Sequence, residues 1–199
     1  MMFVQVIEGR IADREGLRRQ MDRWMVELRP GASGYLGTTA GVTENDRAIA
    51  FARFESAAAA QANSERPEQG RWWAETEKCF EGPVTFADSD EVDTFLAGGS
   101  DAAGFVQIMK GSAPDRERLR VMDARLAEHA GSFRPDLIGG YRVWTGPSTY
   151  VEAAYFTSEA EARANETKEP PAELAEEMAE FAEMMASIEF VDLREPWLY

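Results

Sequence analysis

The chain contains a single cysteine, Cys79, and a single histidine, His129, in 199 residues. One cysteine closes no intrachain disulfide, which fits a reducing compartment, and a cytoplasmic location is expected. One histidine excludes multi-histidine metal sites and most zinc enzymes, so no metal site is expected. Basic residues are also scarce, 21 Lys and Arg against 36 Asp and Glu, for a formal net charge of −15. Nucleic acid and anionic membrane would both meet long-range repulsion, so neither is expected as a partner; the acidity otherwise reads as solubility. No apolar run approaches the ~18 residues of a membrane span. The N-terminus reads as a strand from Met2 onward, without the basic and apolar segments of a secretory signal.

What the chain does have is a repeat. Phe3-Val4-Gln5-Val6-Ile7-Glu8-Gly9 returns as Phe105-Val106-Gln107-Ile108-Met109-Lys110-Gly111. Phe54-Glu55-Ser56, leading to Ala62-Asn63, returns as Phe156-Thr157-Ser158, leading to Ala164-Asn165, at the same shift of 102 positions. Arg29-Pro30 and Arg134-Pro135, Gly34 and Gly139, and Phe86 and Phe190 fall into line with small insertions. A period this long marks a duplicated domain and not a solenoid. With 44% hydrophobic residues the chain is globular, and each half, at ~95 residues, has enough apolar content for a small core.

Local signals give the same order twice. In the first half a strand over Phe3 to Glu8 is followed by Asp13, a candidate N-cap. Leu17, Met21, Trp24, Met25 and Leu28 then recur at helical spacing. Strands are expected over Tyr35 to Val42 and Ala48 to Phe54, a Ser56-capped alanine-rich helix to Asn63, and a helix opened by Pro67 that carries Trp72, Trp73, Thr76 and Phe80. A strand over Val84 to Ala87 closes the half. In the second half, Gly104 to Met109 is a strand and Ser112 to Asp115 reads as a capping box. Strands follow at Tyr141 to Thr145 and Tyr150 to Phe156. Ser158 caps a helix, Leu174, Met178, Phe181 and Met185 mark an amphipathic helix, and Ile188 to Leu193 is the last strand. The domains expected are 1–90 and 104–199, with an acidic, glycine-containing linker over 91–103. Phe95-Leu96 and Trp197-Leu198 share the 102-residue shift, and each pair reads as an apolar hook that docks on the neighbouring half.

The order β-α-β-β-α-β is the ferredoxin-like split arrangement, giving an α+β fold. Two such sheets can pack their open faces together, here as a pseudo-dimeric α/β barrel within one chain. A strand-end Phe, a Ser-capped helix ending in Asn and a following Trp-bearing helix resemble the dimeric α/β-barrel superfamily, and within it antibiotic-biosynthesis-monooxygenase-type domains. The likeness spans nearly the whole chain, once per half. It implies a cofactor-independent monooxygenase acting on a small aromatic, polyketide-like molecule, with substrate electrons passing to O₂. The alternative is a barrel of the same kind that binds a small molecule, or serves structurally, without catalysis; the fold alone does not choose. Members that cleave haem use an axial histidine on the helix after the third strand, and neither half has one there. No cofactor is expected, and the chain is expected as a monomer or weak homodimer.

By the resemblance, Asn63 would hydrogen-bond a phenolate or peroxy intermediate, and Trp73 falls where an aromatic follows; Pro67 stands where the family has a Trp. Asn63 and its repeat Asn165 also read as helix C-caps with left-handed φ. Trp72 and Trp73, being adjacent, are not expected to face one core together: one packs while the other lines a pocket or interface, stacking on a flat ligand or filling space. Phe51 and Arg53 share one face of their strand. Arg53 would bind a phenolate or carboxylate, or pair with one of the many acids. Tyr35, matched to Tyr141, together with Tyr155 and Trp144 in the second half, would line a pocket or fill a core. Cys79 has no histidine near it in sequence and is a poor nucleophile candidate. Only the first half has the Trp pair, so a single active pocket is expected before residue 90.

Overall fold

The computed structural model describes residues 2–199. The chain divides into two compact units, Met1–Asp90 with Trp197–Tyr199, and Glu91–Pro196. Unit one contains β1 (Phe3–Arg10), α1 (Arg14–Glu27), β2 (Tyr35–Val42), β3 (Arg47–Phe54), α2 (Ala57–Ser64), α3 (Pro67–Thr76) and β4 (Thr85–Ser89). Unit two contains β5 (Val92–Leu96), β6 (Phe105–Ser112), α4 (Arg116–Phe133), β7 (Leu137–Trp144), β8 (Thr149–Phe156), α5 (Glu159–Glu166), α6 (Ala175–Met185) and β9 (Glu189–Leu193). The last strand of the chain, β10 (Trp197–Leu198), belongs to unit one. Each unit is α+β, with a five-stranded antiparallel sheet: β10-β2-β3-β1-β4 in one, β5-β7-β8-β6-β9 in the other.

The helix starts follow local chemistry. The Asp13 carboxylate accepts from the Gly16 N–H at 2.8 Å and opens α1. Asp115 accepts from the Arg118 N–H at 2.9 Å and opens α4. Ser56 and Ser158 cap α2 and α5 by accepting from Ala59 and Glu161 N–H at 3.1 and 3.2 Å. Each such bond satisfies a donor that a helix start otherwise leaves bare. Leu17 and Trp24 are buried along α1, and the C-cap Leu28 continues the stripe.

Two features of the chain differ from the sequence expectation. The stretch read as a linker carries β5, whose Asp93 carboxylate accepts from Trp144 Nε1 at 2.7 Å and Arg120 Nε at 3.0 Å, so that strand is tied into its sheet. The apolar hooks do become closing strands, but their register is offset by two residues from the one expected. Trp197 pairs with Ala40 and Asp93 with Arg142, so Asp93 is the counterpart of Trp197. Tyr199 exchanges backbone hydrogen bonds with Thr38, at 2.8 and 2.9 Å, where Phe95 pairs with Gly140. The shift of 102 holds through β1, β2, β3 and α2. From Phe86 to Phe190 onward it becomes 104, because the second unit is longer between its second helix and last strand.

Both second strands carry a bulge, between Tyr35 and Gly37 and between Leu137 and Gly139. Gly37 and Gly139 have φ of +144° and +155°. A Cβ at Gly37 would stand 2.6 Å from the Tyr199 carbonyl oxygen, and one at Gly139 2.7 Å from the Gly98 backbone. Glycine is required at both because the closing segment passes directly over it.

Candidate functional site

In each unit the helices cover one face of the sheet, and a cavity lies beneath them. The floor is best described by one rung of paired residues, since antiparallel partners project to the same side. In unit one the rung is Trp197, Ala40, Ala50, Ile7 and Phe86. In unit two the same positions are Asp93, Arg142, Glu152, Met109 and Phe190. The next rung keeps a polar pair in both: Gln5 Nε2 donates to Asp88 at 3.0 Å, and Gln107 Nε2 to Asp192 at 2.9 Å.

The unit-one cavity is small, about 100 Å³, because aromatic side chains occupy the interior. Trp24 packs 4.7 Å from Tyr35 and 6.4 Å from Trp72, and Tyr35 packs 5.7 Å from Phe54, between ring centroids. The indoles are anchored, Trp24 Nε1 to Gln69 Oε1 at 2.7 Å and Trp72 Nε1 to the Gln20 carbonyl at 2.8 Å. Tyr35 donates to Thr38 Oγ1 at 2.7 Å. Asn63 borders this cavity with Trp72, Trp73 and Tyr35. Its Oδ1 accepts from Arg66 Nη1 at 2.9 Å, and the same guanidinium holds the Leu28 carbonyl at 3.0 Å. Asn63 thus ties the end of α2 to the end of α1. It lies within the helix and is not among the positive-φ residues, so the left-handed cap expected of it is absent.

Unit two encloses about 430 Å³. Phe95, Phe133, Phe156, Phe181 and Phe190 line it, with Met109 and Met178. At its floor Arg142, 2% exposed, donates from Nη1 to Asp123 Oδ2 at 2.6 Å and from Nη2 to Glu152 Oε2 at 2.5 Å. Burial works against the Arg142 charge, but pairing with Glu152 and Asp123 outweighs it and holds the guanidinium above its ordinary range. For Glu152 the balance goes the other way. Full burial pushes its carboxyl up, and Arg142, shared with Asp123, offsets this only in part while Asp123 and Asp93 add repulsion. The Arg142 Nε–H is buried without a hydrogen-bond partner.

The residues expected from sequence are therefore divided. Asn63, Trp72, Trp73 and Tyr35 meet at the unit-one cavity. Both tryptophans line it, although adjacent, because Trp73 lies at its edge against Phe80 and Phe86, at 6.3 and 5.3 Å. Arg53 and Phe51 do not line it: Arg53 pairs with Val4, on the opposite sheet face from Ala52, Ala50 and Gln5. Tyr155 likewise points away from the unit-two cavity and donates to Tyr141 OH at 3.0 Å. Trp144 packs outside the cavity lining, 4.2 Å beneath the Arg116 guanidinium and 5.5 Å from Tyr150. Asn165 is buried in α5 and also outside that lining. By register the counterpart of Tyr35 is Leu137, and Tyr141 stands where Thr39 does. The Cys79 thiol is buried, and burial together with Asp13 pushes it up, away from thiolate character.

Sequence reasoning missed Arg142, Glu152 and Asp123. A signal was present: Arg142 and Glu152 are single charges of opposite sign, each flanked by apolar residues in its strand. Among the described residues no group of three or more His, Cys, Asp or Glu is placed to hold a metal ion, and no helix is long and apolar enough to cross a membrane.

This architecture is found in solved structures. A protein described as a putative monooxygenase from Fusobacterium nucleatum superposes with a TM-score of 0.74 at 10% identity, over 99% of this chain and 93% of that one. An anthrone oxidase-like protein gives 0.62 at 12% identity, over 98% and 89%. A ferredoxin fold protein related to antibiotic biosynthesis monooxygenases, from Listeria monocytogenes, gives 0.51 at 12% identity, over 98% and 96%. The fold is theirs. No family model and no curated protein matches the sequence.

Proposed function

We propose that the protein takes a small aromatic molecule into the unit-two cavity and oxidises it with O₂ without a cofactor, the substrate supplying the electrons. One observation carries the choice of unit: about 430 Å³ of space against about 100 Å³. Small-molecule sites occupy roughly 300–1,000 Å³ with mostly apolar walls and a few placed polar groups. Unit two meets that description with five phenylalanines above a buried ion pair. Its fold neighbours include proteins described as a putative monooxygenase and as anthrone oxidase-like, which supports the reaction class. A ring oxidised at a CH₂ position would follow R₂CH₂ + O₂ → R₂CO + H₂O, leaving no electrons for a cofactor to supply. The second reading, binding without turnover, is favoured by the mutual pairing of Arg142 with Asp123 and Glu152.

Oxygen uptake with a panel of anthrone-like and hydroquinone substrates tests this. Ala154→Trp, which puts an indole into the unit-two cavity, is expected to lower the rate at least about ten-fold, ~1.4 kcal/mol of barrier. Uptake that falls with Asn63→Ala and not with Ala154→Trp would return the site to unit one. Binding by the wild type with no uptake on any substrate would favour the second reading.

A further inference from the structure

The buried floor of unit two constrains the ligand further, given the reading of that cavity as the small-molecule site. The Nη1/Nη2 edge of Arg142 is occupied by Asp123, at 2.6 and 3.3 Å. Glu152 takes the remaining hydrogen of Nη2 at 2.5 Å. In a guanidinium this hydrogen and the Nε–H lie along one edge, the fork that carboxylates usually grip with both oxygens. Glu152 grips one prong only, and the Nε–H beside it is buried and unbonded in a cavity-lining side chain. Such a group is destabilising unless something accepts from it.

We propose that this edge receives a neutral ligand carrying a weakly acidic hydroxyl, whose oxygen accepts from the Arg142 Nε–H and whose proton passes to the Glu152 carboxylate. The O–H bond of the ligand breaks, the new O–H bond forms on Glu152, and no electrons change hands. The other cations that line the cavity are paired, Arg134 with Asp136 and Arg163 with Glu166 and Asp192, so charge counting at the floor selects a neutral acid over a permanent anion. Before transfer the floor holds Arg142 positive and Asp123 and Glu152 negative; afterwards Glu152 is neutral and the ligand oxygen carries the negative charge. The buried total is unchanged. A carboxylate entering the same place would add one more buried negative charge against Asp123 and Glu152, which is expensive in a low dielectric. Burial also makes Glu152 a stronger proton acceptor than an ordinary carboxylate. Glu152 is thus the proton acceptor, and Arg142 the group that holds the oxyanion.

The test uses the intact chain and a matched pair of probes, 4-nitrophenol and 4-nitrobenzoate, at a pH where the free phenol is neutral and the free benzoate ionised. Binding by titration calorimetry is expected to favour the phenol at least about ten-fold. Its bound absorption spectrum should be that of the nitrophenolate. Glu152→Gln keeps the size and the Arg142 contact and should leave bound nitrophenol in its neutral, colourless form. A neutral spectrum on the wild type, or benzoate binding as tightly as phenol, would overturn the proposal while leaving the cavity as a binding site. Nitrophenolate formation without oxygen uptake on any substrate would sink only the oxidation reading. Failure of both probes to bind would overturn both.

Discussion

Across the first sheet, Trp197, Ala40, Ala50, Ile7 and Phe86 form a rung that is apolar throughout. Across the second, Asp93, Arg142, Glu152, Met109 and Phe190 keep the apolar end and place three charges at the other. The frame is otherwise shared, down to the Gln–Asp hydrogen bond of the next rung and the glycine under each closing strand. An indole and two methyl groups fill space without needing partners. Three charges need acceptors, donors and room, and unit two supplies them from α4 through Asp123 and Arg120. Buried ion pairs are seldom the most stable filling of a core, and well-packed apolar replacements often equal or better them. Unit two therefore departs from the packing solution its twin uses, and departures of this kind collect where a protein has chemistry to perform.

The largest effect should come from breaking the charged rung. Arg142→Ala leaves Glu152 buried, and Asp123 half-buried, without their cation, and about 3–5 kcal/mol of stability should be lost in urea unfolding. Adding Glu152→Ala, which brings both positions to the alanines of unit one, should recover at least about 1 kcal/mol of that loss, since neighbours in one network are not additive. A single variant costing under about 1 kcal/mol would mean that water already serves the floor, and the contrast between the units would lose its energetic content.

A smaller effect is expected at the other end of the same comparison. Trp197 lines the unit-one cavity and lies under the Arg18 guanidinium, 5.0 Å from its ring. Its side chain is half-buried, so Trp197→Ala should cost about 2 kcal/mol in the same assay, less than the ~3–5 of a fully buried indole. The variant should also enlarge the unit-one cavity, read as gain of fluorescence with an apolar dye. No gain would show that Trp24, Trp72 and Tyr35 alone close that interior.

Much of this comparison was legible in the sequence, and its limits have physical causes. The repeat Phe3–Gly9 against Phe105–Gly111 gave the strands, and Asp13, Ser56 and Ser158 gave three helix starts, because capping is local; the capping box expected to open at Ser112 starts three residues early, since Ser112 ends β6 and Asp115 is the N-cap of α4. The closing strands were visible as Phe95-Leu96 and Trp197-Leu198, but one shift was carried across the whole chain. Insertions between α2 and β4 and their counterparts change it to 104, so Asp93 was hidden as the partner of Trp197. The charged floor was hidden for a related reason. Arg142 and Glu152 are ten positions apart and become neighbours only through the β7–β8 register. Asn63 and the tryptophans border the unit-one cavity, but side-chain volume, which sequence spacing does not report, left them little space. Arg53 and Phe51 were correctly placed on one face; which face the helices cover is a matter of tertiary packing.

The smallest predicted effect is a control on the comparison itself. Ser56 and Ser158 cap matching helices with matching geometry, 3.1 and 3.2 Å to the third N–H. Each Ser→Ala change should cost about 1 kcal/mol, the usual loss for an N-cap serine. The units differ here in that Ser158 also donates to the Glu161 carboxylate at 3.1 Å, as does Thr157, where unit one has Ala59 and Glu55. If the floor rungs are where the units diverge energetically, the two caps should agree within about 0.5 kcal/mol in urea unfolding. A Ser158→Ala loss exceeding that of Ser56→Ala by more than about 1 kcal/mol would show that Glu161 depends on the hydroxyl for its place. Unit two would then rely on charged networks well beyond its cavity, and the contrast drawn from one rung would extend to the outer ends of its helices.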